Sequence, residues 1–278
     1  MLEPNFDTVP GELREQEQWV LWKAETRDGD TTKVPYQPSG RKAKSNTPST
    51  WTSFEDVLSA YQGGDFAGIG FMFDENGPYV GVDLDGCVDD GDLTGGAWDV
   101  VKHLDSYTEG SPSGTGLHII CRGFLPDLGN RTSDVQGLKE LELYEDGRYF
   151  TVTGRGLGGE ARPVENRAQE LYDLCKDVFG EKQAEKQPAP SKPNDVEDRD
   201  LVETAKQADD SGKFARLWNG DTSAYADDHS RADQALVNKL AFWTGGDRDR
   251  IDQLFRQSGL CREKWTGRPD YRKRTIDK

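Results

Sequence analysis

The segment YVGVDLDGCVDD (Tyr79–Asp90) ends a run of strand-forming residues with two carboxylates two positions apart, Asp83 and Asp85. In a strand, residues i and i+2 project from the same face. Asp83 and Asp85 therefore aim together, while Val82 and Leu84 pack behind them. Two carboxylates side by side repel unless a cation lies between them, and oxygen ligands favour Mg²⁺ or Mn²⁺. The plainer reading is a strand that runs into an acidic turn. GCVDDGD is turn-like, and Asp89 and Asp90 belong to that turn. The pair alone does not decide.

Two further stretches bear on it. In DSYTEGSPSGTGLHIICRG, residues Ser111, Ser113, Gly114, Thr115 and Gly116 form a small loop rich in backbone N–H groups, suited to cradling phosphate oxygens. His118 opens the next strand and would add a hydrogen bond or a positive charge. A hairpin with a histidine at its base reads as well, and no HxH or HxxxH partner makes His118 a zinc ligand. In LKELELYEDGRYFTVTG, alternation sets Glu140, Glu142 and Tyr144 on one face and Leu141 and Leu143 on the other. An acid from this strand would complete a three-carboxylate cluster, with Arg148 returning after the EDG turn to meet a triphosphate. A half-exposed edge hairpin shows the same alternation. Taken together, a DxD, a Ser-Gly-Thr-Gly loop with His, and a later strand acid are what metal-dependent nucleotidyl transfer needs: carboxylates for two metals, and a loop for the triphosphate tail.

The elements that must position these residues are legible around them. QWVLWKAE, KVPY, FAGIGFMF, YVGVDLD, LHIICRGF, LKELELYE and RYFTVTG read as strands, and STWTSFEDVLSAYQG as a helix capped by Ser53. VENRAQELYDLCKDVF reads as an amphipathic helix. Several strands follow one another without helices between them, so the fold class is α+β with a central, largely antiparallel sheet. GEKQAEKQPAPSKPNDVEDRD is Pro-rich, charged and nearly free of apolar residues, a linker over 180–200. It separates a catalytic domain, 1–179, from a small all-α domain, 201–278. There SRADQALVNKLAFWTGG has a Ser N-cap and a Gly stop, and DRDRIDQLFRQSGL starts at Asp and ends at Gly. The final DYRKRTIDK stops inside a helical pattern, as expected of a chain cut from something longer.

Composition sets outer limits. The chain has 278 residues, enough for one or two domains with a real core. It has no apolar run approaching the roughly 18–20 residues of a membrane span and no signal-peptide pattern, which places it in the cytoplasm. Four scattered cysteines without a CxxC pair read as reduced and incidental. A net charge of −16 argues against nucleic-acid partners at first sight. Yet Asp outnumbers Glu 32 to 19 and Lys supplies only 16 of 35 basic residues, a balance suited to a protein hydrated at high salt. Highest stability in dilute buffer would count against a salt-loving host. Local charge then matters more than the total, and from Arg256 to Lys278 eight Lys/Arg face three Asp/Glu.

The motifs VGVDLDG, SYTEGSPSGTGLHI and ELYEDGRYFTVTG, supported by WVLWK, TPSTWTSFEDV and GIGFMF, resemble in order those of the primase–polymerase (PrimPol) branch of the archaeo-eukaryotic primase superfamily, found in phage and mobile-element replication proteins. The resemblance covers roughly Gln18 to Phe179. It implies Asp83, Asp85 and Glu142 as catalytic metal ligands for Mg²⁺ or Mn²⁺, with Glu140 a rival for the third acid. It implies nucleotide contacts from Ser113 and His118, joined by Gly114, Thr115, Gly116 and Arg148. The implied partners are single-stranded DNA template and dNTP or NTP. The helical part resembles the segment that precedes a superfamily 3-type helicase, although no GxxxxGK[ST] is present, so no ATPase is claimed. The tail would then help hold template or initiating nucleotide, or its basic residues simply pair with nearby acids. A glycosyltransferase would also use a DxD but wants a nucleotide-binding βαβ half before it, and a rolling-circle nicking enzyme wants an HxH pair. A non-catalytic single-stranded DNA-binding or helicase-loading module, its acids merely structural, remains the alternative.

Overall fold

The structure is a computed structural model that describes residues 2–27, 29–74, 77–123, 125, 131–135, 138–159, 162–179, 198–208, 212–225 and 228–277. The described residues fall into two compact units, one built mainly from the chain up to Arg167 and the other mainly from Ala168 onward.

The first unit holds two antiparallel sheets. One has the order β11 (Tyr149–Val152), β3 (Gly68–Met72), β1 (Trp19–Arg27), β2 (Asp30–Tyr36). The other runs β7 (Tyr107–Gly110), β8 (Leu117–Arg122), β4 (Tyr79–Asp85), β10 (Leu138–Tyr144), β9 (Arg131–Val135). A two-residue ribbon, β5 (Val88–Asp89) with β6 (Asp92–Leu93), follows β4. The α+β class and the antiparallel pairing agree with the sequence, while the single central sheet is resolved into two. A short helix α1 (Gly11–Arg14) precedes β1. Helix α2 (Phe54–Gln62) starts as expected: Ser53 accepts a hydrogen bond from the Asp56 N–H. Helix α3 (Gly95–Leu104), capped by Thr94, has no counterpart in the sequence reading.

The core between the sheets is aromatic. Trp19, Phe71 and Phe73 from the first sheet meet Tyr79, Tyr107 and Tyr144 from the second, with Phe71 edge-on to Tyr79 at 5.5 Å. On β4, burial follows the alternation: Val80, Val82 and Leu84 are fully buried on one face, and Tyr79, Gly81, Asp83 and Asp85 share the other. Along that second face the residues change from apolar to acidic, so the site begins where the core between the sheets runs out.

The second unit is helical: α4 (Ala168–Phe179), α5 (Asp198–Ala208), α6 (Lys213–Trp218), α7 (His229–Thr244), α8 (Arg248–Phe255), α9 (Glu263–Gly267) and α10 (Pro269–Asp277). Its core gathers Leu201, Phe214, Leu236, Leu240 and Phe255, with Trp265 stacked on Phe255 at 3.6 Å. Helix α4, placed by the linker argument with the first part, clusters with this unit. Most of the linker reading lies outside the described residues, but its last three residues, from Asp198, already belong to α5. The cap of α7 is Asp228, whose carboxylate accepts from the N–H groups of Ser230 and Arg231, rather than Ser230 itself. Gly245, at φ 63°, stops α7 as read, and Asp247 caps α8 as read. No described helix is long and apolar enough to cross a membrane.

Candidate active site

Strand pairing decides which residues meet. On β4, Asp83 stands opposite His118 of β8 on one side and opposite Glu142 of β10 on the other. His118 in turn pairs with Glu109 of β7. Directly paired residues of antiparallel strands share a face, so Glu109, His118, Asp83 and Glu142 form one lateral row across four strands. One step along, Asp85 faces Glu140. The two candidate third acids therefore lie on the same face, one opposite each aspartate.

Asp83, His118 and Glu142 line one pocket with Tyr144, Arg148, Tyr149, Phe150 and Thr151, and Lys33 reaches it from β2. His118 is buried and stacks on Phe150, with ring centroids 4.5 Å apart. Its Nε2 lies 3.8 Å from Asp83 Oδ1 and its Nδ1 lies 3.7 Å from Glu109 Oε1. Glu109 is fully buried and fixed by other partners: Tyr107 Oη donates to it, as do the N–H groups of Thr153 and Gly154. Glu142 accepts from Tyr144 Oη. The guanidinium of Arg148, at the turn just before β11 rather than within it, lies 5.2 Å from the Tyr144 ring centroid.

The electrostatics of Asp83 follow from this crowding. Burial pushes its pKa above the ordinary carboxylate range; His118 opposes that, Asp85 and Glu142 add to it, and Lys33 opposes it again. Lys33 is exposed as a residue, yet partial desolvation of its ammonium pulls its pKa down, against the favourable charges of Asp83 and Asp85.

The loop Ser111–Gly116 joins β7 to β8 at the Asp85 end of β4. A Cβ on Gly116 would sit 2.8 Å from the Leu84 carbonyl and 3.5 Å from Asp85 Oδ1, so glycine lets the loop come this close. Gly114 takes φ 81°, and the hydroxyls of Ser111, Ser113 and Thr115 form a chain with 3.0 Å steps. Gly116 thus comes close to Asp85, and none of Ser113, Gly114, Thr115 and Gly116 is among the residues that line the pocket. Sequence reasoning missed Lys33 and Glu109. TTKVPY carries the first as a lone lysine in a short strand. SYTEG carries the second as an acid one residue before a glycine, which reads as a turn.

Among the described residues, no group of three His, Cys, Asp or Glu side chains is arranged to hold a metal ion. The acids nevertheless fit a hard cation. They offer only oxygen, and Asp83 Oδ1 is buried without a hydrogen-bond partner, the kind of orphan acceptor a cation would satisfy.

In the helical unit, much of the basic tail is engaged with acids. Arg256 and Arg272 pair with Asp252, and Arg262 pairs with Asp233 at 2.7 Å.

Comparison with known proteins agrees with the resemblance read from the motifs. Residues 229–278 match the NrS-1 polymerase HBD domain, so α7 to α10 are similar to part of a polymerase family. The chain is also 36% identical over 256 residues to a protein named DNA Primase-polymerase from Nitratiruptor phage NrS-1. That alignment covers 89% of this chain and 33% of the phage protein, so the chain spans a third of the length of its relative.

Proposed function

We propose that this chain carries out DNA-templated nucleotidyl transfer, as a DNA primase and DNA polymerase in the replication of a phage or mobile element. The observation that carries the reading is the row His118–Asp83–Glu142, with Asp85 beside it, over a pocket that also holds Lys33 and Arg148. The name of the phage relative and its 36% identity support the same reading.

Asp83, Asp85 and Glu142 would hold Mg²⁺ or Mn²⁺; Glu142 is preferred to Glu140 because it stands directly opposite Asp83 and lines the pocket with it, whereas Asp85 and Glu140 face each other outside the lining residues. When bound, such cations neutralise phosphate charge and lower the pKa of an attacking 3′-hydroxyl. The protein's own share is binding and orientation. Arg148 offers a planar fork to phosphate oxygens. His118, held between Phe150 and the two flanking acids, presents Nε2 toward the Asp83 side of the pocket. The N–H groups of Ser111, Gly114 and Thr115 already donate within their own loop, so the hydroxyls of Ser111, Ser113 and Thr115 are what this loop would offer a phosphate. The 3′-hydroxyl of a primer on single-stranded DNA would attack the α-phosphate, releasing pyrophosphate. A helicase is the expected protein partner.

The test is extension of a labelled primer on single-stranded DNA, with dNTPs and Mn²⁺ or Mg²⁺ over a range of KCl. Asp83→Ala/Asp85→Ala should abolish extension with folding intact. Wild type that extends nothing at any salt, or a double variant that extends equally well, sinks the polymerase reading and leaves a DNA-binding module.

A further inference from the structure

Lys33 sits on β2, the edge strand of the first sheet, yet reaches the pocket whose acids come from the second sheet. Its place is fixed from the other side of that sheet. Tyr149 Oη donates to the Lys33 carbonyl at 2.7 Å, and the Tyr149 ring lies over Gly70, where a Cβ would be 2.6 Å from its Cδ2. Its ammonium lies 6.0 Å from the centroid of the Trp22 ring. The described ion pairs do not occupy it.

We infer that Lys33 is a further substrate-contacting residue, binding the triphosphate of the incoming nucleotide together with Arg148. The inference rests on the polymerase reading and on a charge count. Three carboxylates carrying two divalent cations leave about one positive charge, against roughly four negative charges on a nucleoside triphosphate. Protein cations must meet the shortfall, and Lys33 and Arg148 are the Lys and Arg side chains lining this pocket. Losing Lys33 removes half of that fixed positive charge. A lysine suits the role because its ammonium can follow phosphate oxygens as a point charge.

The test uses Lys33→Met, which keeps the stem and removes the charge, and Lys33→Arg, which restores charge. Tripolyphosphate and dATP with Mn²⁺ are titrated by thermal shift, and extension is measured against dNTP and against primer–template. A charge-assisted hydrogen bond is worth about 1.5–3 kcal/mol, so Lys33→Met should weaken tripolyphosphate and dATP binding about ten- to hundredfold. KM for dNTP should rise by a similar factor, KM for primer–template should hold, and Lys33→Arg should recover most of the loss. If Lys33 only balances the acids, Lys33→Met will shift half-saturation by Mn²⁺ and leave tripolyphosphate untouched, which overturns the inference. Wild type that binds dATP while Lys33→Met binds it equally overturns this inference alone. Wild type that neither binds dATP nor extends overturns the functional reading with it.

Discussion

Gly81 lies on β4 two residues before Asp83 and on the same face, opposite Ile120 and Tyr144. A glycine inside a central strand weakens it and signals a close approach. Here the approach is by two rings: a Cβ would lie 2.4 Å from Phe73 Cζ and 2.6 Å and 2.7 Å from Phe150 Cε2 and Cζ. Carbon atoms in contact stand about 3.5–4.0 Å apart, so Gly81→Ala forces both rings to retreat by about 1 Å. Both are buried, and Phe150 is the surface on which His118 stacks. Overpacking of this kind costs about 1–3 kcal/mol. The lower entropy of an unfolded alanine returns about 0.4–1 kcal/mol, since Gly81 does not need a positive φ. The net loss is about 1–2 kcal/mol. With a urea m-value of about 2 kcal/mol/M, the midpoint should fall by about 0.5–1 M without a change in slope. On the proposed function, KM for nucleotide should rise as well, because His118 moves with Phe150. Gly95→Ala is the control, since a Cβ there meets nothing within 4 Å. A Gly81→Ala protein with the wild-type midpoint and wild-type nucleotide KM would refute the claim that the rings hold the site in place.

Two further outcomes follow from the charges. If the acidic row takes Mn²⁺ or Mg²⁺, a tenfold excess over Kd stabilises the fold by about 1.4 kcal/mol, a rise of about 3–6 °C in Tm for a unit of this size. Asp83→Asn/Asp85→Asn should lose that rise, and a wild type unmoved by millimolar metal would favour the DNA-binding module. In the helical unit, Asp233 is fully buried, accepts from Arg262 and Tyr271, and has its pKa raised, chiefly by burial. A carboxyl that binds its proton more tightly when folded contributes stability at low pH. That contribution is lost as pH rises from the ordinary carboxylate value through the higher folded one. The stability of wild type relative to Asp233→Asn should therefore fall across that window, and parallel curves would contradict the assignment.

How much of this was legible depended on distance along the chain. Alternation is local, so YVGVDLD and LKELELYE revealed which residues share a face, and the structure keeps that division, with Leu141 and Leu143 fully buried. Ser53 capped its helix as read, whereas Ser230 lost to Asp228 because both sit near the same start and only tertiary context decides where the first turn begins. What alternation cannot supply is register between strands far apart in sequence. Sliding β10 by two residues against β4 would set Glu140 rather than Glu142 opposite Asp83 while leaving every leucine on the buried face. The sequence pattern is identical in both cases, which is why the third acid stayed open. The pairing Glu142 with Asp83, and His118 with the same residue from the other side, is what turns three separate motifs into one row. Lys33 was hidden for a related reason. Its strand belongs to a different sheet from the acids, and a lone lysine in TTKVPY carries no sign of which sheet it will face. Two sheets meeting over an aromatic core can bring such a residue to the acids only where the core ends, because an unpaired ammonium farther in would be too costly to bury. The residues that position a charged site are thus read at the boundary of the core, and that boundary is set by packing between sheets rather than by any one strand.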